Sequence, residues 1–317
     1  MPAILLVMTG AGWNPAEWQA RFSTGSPTRD VRIWPDGVGE PADIEYVCAW
    51  NPPPGLLARF PNLKVIFSLG AGVDHLTRDP QLPGVPIVRI VDQDLTARMA
   101  EYVVLHVLLH HRRLRLYSEQ QRRRTWYEHP QPAAREVAVG ILGMGVLGRD
   151  AAEVLVRIGF QVAGFSRTPK QIPNVQIYSG PEQFAAFLAR SEILVCLLPH
   201  TPATEGMLNL SLFRKLKRDG ALRGAYLINA GRGKLQVDAD ILAALEEGTL
   251  AGASLDVFPT EPLPPDNPLW AHPNVVITPH NAAVSDPKAL AKNILTQIER
   301  FERGLPLQHV VDRSAGY

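Results

Sequence analysis

Residues 138–155 read AVGILGMGVLGRDAAEVL, and this stretch decides the fold. An apolar run, AVGIL, leads into the pattern GMGVLG, and a helical pattern follows at once. Gly143 lets the chain turn sharply, Gly145 lets a pyrophosphate approach the backbone, and Gly148 lets a helix pack on the strand. The start of such a helix attracts phosphate through its N–H groups and its dipole. The stretch predicts a dinucleotide-binding βαβ unit, with a tight turn that binds no ligand as the alternative.

Short apolar runs alternate with helical patterns along most of the chain. The runs are continuous in Val, Ile and Leu, as in parallel strands that are buried on both faces. The first group is AILLVM, VRIW, YVCAW, KVIFSLG and VPIVRI, and the second is VAVGILG, QVAGF, ILVCLL, AYLINA, GASLDVF and VVITP. An α/β protein with two doubly wound parallel sheets is therefore predicted.

Two long helical patterns frame the second group of strands. The first runs from about Asp94 to Trp126 without Gly or Pro, with Asp94 and Thr96 as candidate caps. This pattern is predicted to connect two domains. The second pattern starts after Asp286, repeats apolar residues at helical spacing and stops at Gly304.

Length and composition limit the class of protein. The 317 residues are 46% hydrophobic and 20% charged, as expected for two packed domains. Because 32 Lys plus Arg nearly balance 31 Asp plus Glu, no net field favours nucleic acid or an acidic membrane. Cys48 and Cys196 lie in apolar runs without metal-ligand spacing and are predicted to be buried thiols. With no apolar stretch of membrane-spanning length and no signal-peptide pattern, a cytoplasmic protein is expected.

The loop after QVAGF indicates which dinucleotide binds. An NAD site usually has Asp or Glu here to bind the ribose 2′-OH, but this chain has Ser166, Arg167 and Thr168, with Lys170 close behind. Arginine attracts a 2′-phosphate, which a carboxylate would repel. NADP(H) is therefore the preferred cofactor and NAD(H) the second choice, and a solvated surface arginine is the alternative interpretation.

Three ionisable residues follow later strands: Arg232 in NAGRGK, Glu261 in LDVFPTEPLP and His280 in ITPHNA. The carboxyl ends of parallel strands meet at one edge of a sheet, where doubly wound proteins bind ligands. Each residue alone also fits an exposed or capping role. Their joint placement beside a dinucleotide-binding fold favours a shared functional role over three separate surface roles.

A second candidate anion site lies in SLGAGVDHL, in the first group of strands. Gly70, Ala71 and Gly72 follow an apolar run, and small residues can expose consecutive N–H groups as an anion nest. A strand-to-helix turn without a ligand is the alternative.

The sequence resembles the D-2-hydroxyacid dehydrogenase family over essentially its whole length. The resemblance rests on SLGAGVDHL, GILGMGVLG, LLPHTPATEGMLN, INAGRGKLQVDADILAAL, GASLDVFPTEPLP and ITPHNAA, in the family's order. Within the family it is most similar to the bacterial A-type glyoxylate/hydroxypyruvate reductases. This likeness rests on the stretch WNPPPGLLARFPNLKVIFSLGAGVD, on SRT in place of the acidic residue, and on the ending VDRSAGY. This implies a Rossmann coenzyme domain, residues 99–285, inserted in a flavodoxin-like substrate domain, residues 1–98 and 286–317. The active site is expected in the cleft between them.

The resemblance also implies roles for individual residues. Arg232 is expected to bind the substrate carboxylate and polarise its C2 carbonyl, His280 to be the acid/base, and Glu261 to pair with His280. Val73 joins the preceding loop in holding the carboxylate, and Trp50 forms a wall beside the C3 group, with a core tryptophan as the alternative. The substrate residues are thus Trp50, Gly70, Ala71, Gly72, Val73 and Arg232, and the cofactor residues are Gly143, Met144, Gly145, Val146, Leu147, Gly148, Ser166, Arg167, Thr168, Lys170, Leu198, Pro199, Thr204, Ala230 and Asp256. Asp256 is expected to bind the carboxamide, and Leu198, Pro199 and Thr204 to line the nicotinamide, unless they are turn or capping residues.

Two features of the long helical pattern need separate interpretation. His106 and His110 have a spacing that can hold a metal, but no acidic ligand completes a motif, so a packed helix face and no metal are predicted. The arginine-rich run HHRRLRLYSEQQRRRTW is interpreted as a solvated face rather than a nucleic-acid site. The resemblance implies a homodimer through this coenzyme-domain helix, with Trp126 reaching the partner's active site.

The predicted function is NADPH-dependent reduction of small 2-oxo acids, glyoxylate and hydroxypyruvate first. A D-2-hydroxyacid dehydrogenase for another 2-oxo acid is the nearest alternative, because pocket residues set that choice. A dinucleotide-sensing binding protein of the corepressor type is a more remote one.

Overall fold

The computed structural model describes residues 2–10, 13–284 and 286–313. The chain forms two compact units, Met1–Leu95 with Ser285–Tyr317, and Thr96–Val284, so the second is inserted in the first. The sequence places the first boundary between residues 98 and 99, about one turn further along the same helix. The last four residues of the VDRSAGY ending lie outside the described residues.

The first unit contains a five-stranded parallel sheet in the order β2-β1-β3-β4-β5. This is the flavodoxin-like order, and apolar side chains cover both faces of the sheet. Its strands are β1 (Ala3–Met8), β2 (Asp30–Ile33), β3 (Ile44–Trp50), β4 (Val65–Ser68) and β5 (Ile87–Val88), and its helices are α1 (Pro15–Gly25), α2 (Asp74–Thr77) and α9 (Pro287–Glu302).

The second unit contains a seven-stranded parallel sheet in the order β12-β11-β10-β9-β6-β7-β8. This is the Rossmann order extended by one strand, and it too is covered on both faces. Its strands are β6 (Ala138–Leu142), β7 (Gln161–Ser166), β8 (Gln176–Ser179), β9 (Ile193–Cys196), β10 (Tyr226–Asn229), β11 (Gly252–Leu255) and β12 (Val275–Ile277). Its helices are α3 (Gln93–His111, which begins in the first unit), α4 (Leu114–Arg122), α5 (Val146–Ile158), α6 (Pro181–Arg190), α7 (Leu210–Phe213) and α8 (Asp238–Glu246). The predicted pair of doubly wound parallel sheets is confirmed.

The sequence analysis did not predict one strand of the second sheet. The strand β8 pairs only with β7 at the edge of the second sheet, and its side chains are half-buried or exposed. An edge strand of this kind needs no continuous apolar run, so QIYS carries no signal of a buried parallel strand.

The prediction of one long helix from Asp94 to Trp126 is wrong. The pattern is divided into α3 and α4 by Arg113, whose backbone is left-handed with φ of 53°. The caps Asp94 and Thr96 are also wrong, because the Asp92 carboxylate accepts the N–H groups of Asp94 and Leu95 at 2.9 and 3.3 Å. Gly and Pro mark most helix breaks in a sequence, and a left-handed arginine leaves no such mark.

Three smaller expectations can be compared with the structure. The helix α9 begins after Asp286, whose carboxylate caps Lys288 N–H at 3.0 Å, as the C-terminal pattern predicts. Cys48 and Cys196 are buried and free, which confirms the predicted thiols. Among the described residues, no helix combines the length and the apolar character that a membrane span requires.

Candidate active site

The glycine turn between β6 and α5 is built as a phosphate cradle. Gly143 has φ of 100°, and a Cβ at Gly148 would lie 2.0 Å from the Gly143 carbonyl oxygen, so both positions need glycine. At Gly145 a Cβ would meet no atom within 4 Å. The helix α5 begins there without a side-chain cap, so its first N–H groups face the same opening. These features fit the pyrophosphate of a dinucleotide.

The loop that should select the 2′-phosphate lies beside this turn. Ser166 is buried and its hydroxyl donates to the Thr168 carbonyl at 2.7 Å, whereas Arg167, Thr168 and Lys170 are exposed. The Lys170 ammonium donates to the Met144 carbonyl at 2.7 Å and ties this loop to the glycine turn. Met144 itself is buried against Gly164, so only its backbone remains for a cofactor.

The remaining loops of the second unit form a contiguous row at the carboxyl edge of the sheet. A Cβ at Gly143 would lie 2.9 Å from the Leu197 oxygen, and one at Gly231 would lie 2.7 Å from the Leu198 oxygen. The Thr204 hydroxyl donates to the Pro199 carbonyl at 2.9 Å, so Thr204 closes a turn here. Ala230 starts the next loop and is buried. The nicotinamide contacts of this turn stay a prediction.

Arg232 lies on a loop whose backbone is held by buried hydrogen bonds and by close packing against a neighbouring backbone. Asn229 is fully buried, accepts Gly231 N–H at 3.1 Å and donates to the Arg232 carbonyl at 3.3 Å. A Cβ at Gly233 would lie 1.9 Å from the Phe258 carbonyl carbon and oxygen, so glycine allows two backbones to meet. The guanidinium donates to the Gly231 carbonyl at 2.8 Å. The sequence analysis identified the two glycines and the arginine but missed Asn229.

His280 and Glu261 form the pair that the sequence analysis expected. His280 Nδ1 lies 2.7 Å from Glu261 Oε2, and the two side chains are 36% and 35% exposed. The other carboxylate oxygen accepts Phe258 N–H at 2.9 Å, which fixes its orientation. The imidazole thus has a defined face toward the acid and remains partly accessible, as an acid/base requires.

The electrostatics of this pair favour an ionised carboxylate. Burial raises the pKa of Glu261, but the hydrogen bond and charge of His280, the Phe258 N–H and the charge of Arg232 outweigh burial and hold that pKa below its ordinary value. The charge of Arg232 is therefore close enough to the His280–Glu261 pair to affect the pKa of Glu261. A cation, a carboxylate and an imidazole are held together on one sheet edge.

Asp256 makes capping contacts of the kind that the sequence analysis gave as the alternative to carboxamide binding. Its carboxylate accepts the Thr278 hydroxyl at 2.6 Å and the N–H groups of Asn281 and Ala282 at 3.0 Å, and its carbonyl accepts His280 N–H at 2.8 Å. These bonds hold His280 in a left-handed conformation with φ of 52°. Asp256 is 2% exposed, so it shapes the loop that carries the imidazole. Its contact with a carboxamide stays a prediction.

The predicted substrate residues of the first unit also lie at a sheet edge. Trp50 ends β3, and Gly70, Ala71, Gly72 and Val73 follow β4. A Cβ at Gly70 would lie 2.3 Å from the Trp50 ring, so the tryptophan covers the loop closely. Trp50 also contacts Trp13, with ring centroids 5.7 Å apart. Trp50 is half-buried. Its exposure is therefore intermediate between that of a pocket wall and that of a core residue, the two roles that the sequence analysis allowed.

The histidines of α3 lie within the packed face that was predicted. His106 and His110 are both buried, and His110 Nε2 lies 2.9 Å from the hydroxyl of Ser254. Burial lowers the pKa of His106 to about 4 and, together with the charges of His106 and Arg115, lowers that of His110 to about 3. In the part of the chain that the structure describes, no group of His, Cys, Asp and Glu could hold a metal ion.

The sequence model of the family described as "D-isomer specific 2-hydroxyacid dehydrogenase, NAD binding domain" matches residues 104–282. The chain belongs to this dehydrogenase family. The match spans the glycine turn, the Arg232 loop and His280, the features that form the edge of the second sheet.

Relatives and solved structures agree with this membership. The chain is 43% identical over 311 residues to a protein named glyoxylate/hydroxypyruvate reductase A from Serratia proteamaculans, with 96% of this chain and 97% of the relative covered. A crystal structure of an NADPH-dependent glyoxylate/hydroxypyruvate reductase from Sinorhizobium meliloti, in complex with NADP and sulfate, is 46% identical with a TM-score of 0.95, and each chain is covered completely. A probable 2-hydroxyacid dehydrogenase from Rhizobium etli, in complex with NADP, HEPES and tartaric acid, is 48% identical with a TM-score of 0.93, covering 100% of this chain and 99% of that one.

Proposed function

We propose that this dehydrogenase reduces small 2-oxo acids with NADPH, glyoxylate to glycolate and hydroxypyruvate to D-glycerate. The observation that carries the proposal is the 2.7 Å pair of His280 and Glu261, held on the sheet edge that also carries the glycine turn and Arg232. The names of the Serratia and Sinorhizobium relatives support the same substrates and cofactor. The second unit acts as the coenzyme domain and the first as the substrate domain.

Arg232, the cofactor and His280 have distinct tasks in the reaction. Arg232 pairs with the substrate carboxylate through its planar fork and draws electron density from the C2 carbonyl. When bound, NADPH supplies the hydride that adds to C2. The π electrons of the carbonyl move onto its oxygen, and His280 gives that oxygen a proton, so a 2-hydroxy acid forms. Because Nδ1 faces Glu261, the proton is delivered from Nε2.

Residues of the two units contribute to substrate and cofactor contacts as the family resemblance implies. Gly70, Ala71, Gly72 and Val73 hold the carboxylate by backbone N–H groups, and Trp50 borders the C3 substituent. The cofactor residues are those named for the glycine turn, for the loop from Ser166 to Lys170, for the turn from Leu198 to Thr204, and for Ala230 and Asp256. The free, buried cysteines and the use of NADPH suit a reducing cytoplasm.

A steady-state screen tests the activity. Glyoxylate, hydroxypyruvate, pyruvate and phenylpyruvate are each supplied with NADPH and with NADH, and oxidation of the cofactor is followed by absorbance. We expect the highest kcat/KM for glyoxylate or hydroxypyruvate with NADPH. A folded protein that binds NADPH but turns over none of these acids would be a dinucleotide-sensing protein, and the proposal would be wrong. A clear preference for a larger acid would keep the chemistry and change the substrate.

The preference for NADPH is assigned to Arg167. The side chain lies in the exposed loop beside the glycine turn, where its guanidinium can pair with a 2′-phosphate. We expect Arg167→Ala to lower the ratio of kcat/KM for NADPH over NADH by about 10-fold or more. Arg149→Ala is the matched control, because this exposed arginine pairs with Glu153 on α5. An unchanged ratio in Arg167→Ala would contradict the assignment.

We also propose a homodimer through the coenzyme domain. Large apolar side chains are exposed at Leu105, Leu114 and Tyr127, and Trp126 is fully exposed. A second copy of the chain would cover this surface and receive Trp126 near its site. Sedimentation velocity should give a dimer that Leu105→Glu dissociates, whereas Leu305→Glu, an exposed leucine of the first unit, should leave it intact.

A further inference from the structure

Two buried polar side chains lie beneath the Gly70–Val73 loop, and the proposed reaction does not use them. Ser68 at the end of β4 is 0% exposed, and His75 on α2 is 7% exposed. The Ser68 hydroxyl oxygen lies 3.1 Å from His75 Nε2. A buried hydroxyl and imidazole are costly unless they are hydrogen-bonded, so the network around them is informative.

Neighbouring hydrogen bonds assign the donor and the acceptor of the Ser68–His75 contact. The backbone N–H of Asn51 donates to His75 Nδ1 at 3.1 Å, so Nδ1 is an acceptor and carries no proton. In a neutral imidazole the proton then lies on Nε2, and Nε2 donates to Ser68 Oγ. Ser68 Oγ also accepts the N–H of Gly70 at 3.3 Å. Its own proton is left to donate to the carbonyl of Gly70 at 2.9 Å or that of Gly72 at 3.0 Å, and both oxygens lie within hydrogen-bond distance. This chain of hydrogen bonds runs from the end of β3, through His75 and Ser68, into the loop.

This network fixes the direction of the loop's N–H groups. In a trans peptide the carbonyl and the following N–H point in opposite directions, and the cis bonds of the described residues lie elsewhere. Because the Gly70 and Gly72 carbonyls turn inward to Ser68, the N–H groups of Ala71 and Val73 turn outward. Two N–H groups on one side of a loop form a concave anion site.

His75 also supports the tryptophan beside the loop. Its ring lies 4.7 Å from that of Trp50, and Trp50 in turn rests on Gly70. Asn51, which holds His75 Nδ1, has a left-handed φ of 49° and accepts the Thr9 hydroxyl at 2.6 Å through its carbonyl. One imidazole thus joins the ends of β3 and β4.

We infer that Ser68 and His75 are positioning residues, which aim the Ala71 and Val73 N–H groups at the carboxylate of the 2-oxo acid. The inference rests on the proposed function and adds a hydrogen-bond relay that acts through the loop without touching substrate.

The test is Ser68→Ala in the full-length protein, with Ser254→Ala as its matched control. Both serines are fully buried and lie close to a histidine Nε2, but Ser254 faces His110 in the second unit. For Ser68→Ala we expect the KM for glyoxylate to rise about 10- to 100-fold, the range for losing well-aligned hydrogen bonds to a charged group. The KM for NADPH should stay within about twofold of the parent. Ser254→Ala should leave both values near those of the parent.

A binding measurement removes the dependence on turnover. Oxamate, an inert analogue of a 2-oxo acid, is titrated into the enzyme–NADPH complex, and its dissociation constant should rise in Ser68→Ala by the same factor as KM. His75→Phe, which keeps a ring against Trp50, should have the same effect. If Ser68→Ala does not fold, Ser68→Cys keeps a weak donor and should give an intermediate KM.

The outcomes separate the inference from the proposed function. A parent enzyme that reduces no 2-oxo acid contradicts the function, and the inference falls with it. An active parent whose KM for glyoxylate and affinity for oxamate are unchanged in Ser68→Ala and His75→Phe contradicts the inference alone. An equal loss of NADPH affinity would also overturn it, because a general disturbance would then explain the effect.

Discussion

Two histidines of the second unit occupy opposite environments. His280 is about one-third exposed, lies 2.7 Å from a carboxylate and follows a strand at the ligand-binding edge. His110 is buried between the Ser254 hydroxyl and the Tyr226 ring, and its lowered pKa of about 3 keeps it neutral. The comparison teaches that an acid/base needs an acidic partner and access to substrate, and that burial beside neutral groups makes an imidazole a packing residue.

The largest expected effect tests which histidine is catalytic. His280→Ala should lower kcat/KM for glyoxylate by roughly 10³-fold, because the developing alkoxide loses its proton donor. Affinity for NADPH, measured by fluorescence titration, should be retained. His110→Phe is the control and should keep most of the activity. Substantial turnover in His280→Ala would assign the proton to another group.

Arg232 supplies a positive charge on the sheet edge that carries His280. Arg232→Lys keeps a cation but loses the planar fork, so a carboxylate can no longer be held by two parallel hydrogen bonds. We expect kcat/KM to fall about 100-fold, through both misorientation and weaker binding, with the NADPH dissociation constant unchanged. Near-parental activity in Arg232→Lys would mean that charge alone is sufficient and that the fork has no role.

The pH dependence of kcat/KM tests whether Glu261 is the acidic partner that distinguishes His280 from His110. Since the pKa of Glu261 is lowered, its carboxylate is ionised at neutral pH, and its charged contact with His280 Nδ1 is lost only as the pH falls through that lowered value. Glu261→Gln removes the charged contact at every pH. The acid limb of kcat/KM that protonation of Glu261 causes in the parent should therefore be displaced or lost, with a smaller loss at the optimum than in His280→Ala. A limb that does not move would contradict the role of the pair.

The sequence predicted those parts of the molecule that depend on local pattern. Continuous apolar runs indicated the buried parallel strands, and the three ionisable residues after them could be placed on one edge because parallel strands end together. The sequence could not predict β8, because a half-exposed edge strand lacks such a run. It allowed a turn or capping role for Asp256 but could not predict the partners of its four bonds with Thr278 to Ala282, because those contacts join residues more than twenty positions apart. Residue type indicates which groups can react, and long-range contacts decide how they are held.

The smallest expected effect concerns the buried histidine itself. With a pKa of about 3 when folded and 6.5 as its ordinary value, His110 takes up a proton on unfolding wherever the pH lies between these values. Its contribution to stability is therefore complete above about pH 6.5 and declines as the pH falls toward the folded value. His110→Phe removes this contribution, so its melting temperature should fall less than that of the parent between about pH 7 and pH 4.

Part of the acid sensitivity should remain in that variant, because burial also lowers the pKa of His106 to about 4. Ser254→Ala is the control, since it removes the hydroxyl near His110 Nε2 and keeps the buried imidazole. Its melting temperature should follow the parent's steeper dependence on pH, although from a lower starting value. If the melting temperatures of His110→Phe and the parent fall equally with pH, the His110 imidazole can be protonated inside the folded protein. The contrast between a buried neutral histidine and a paired reactive one would then be lost.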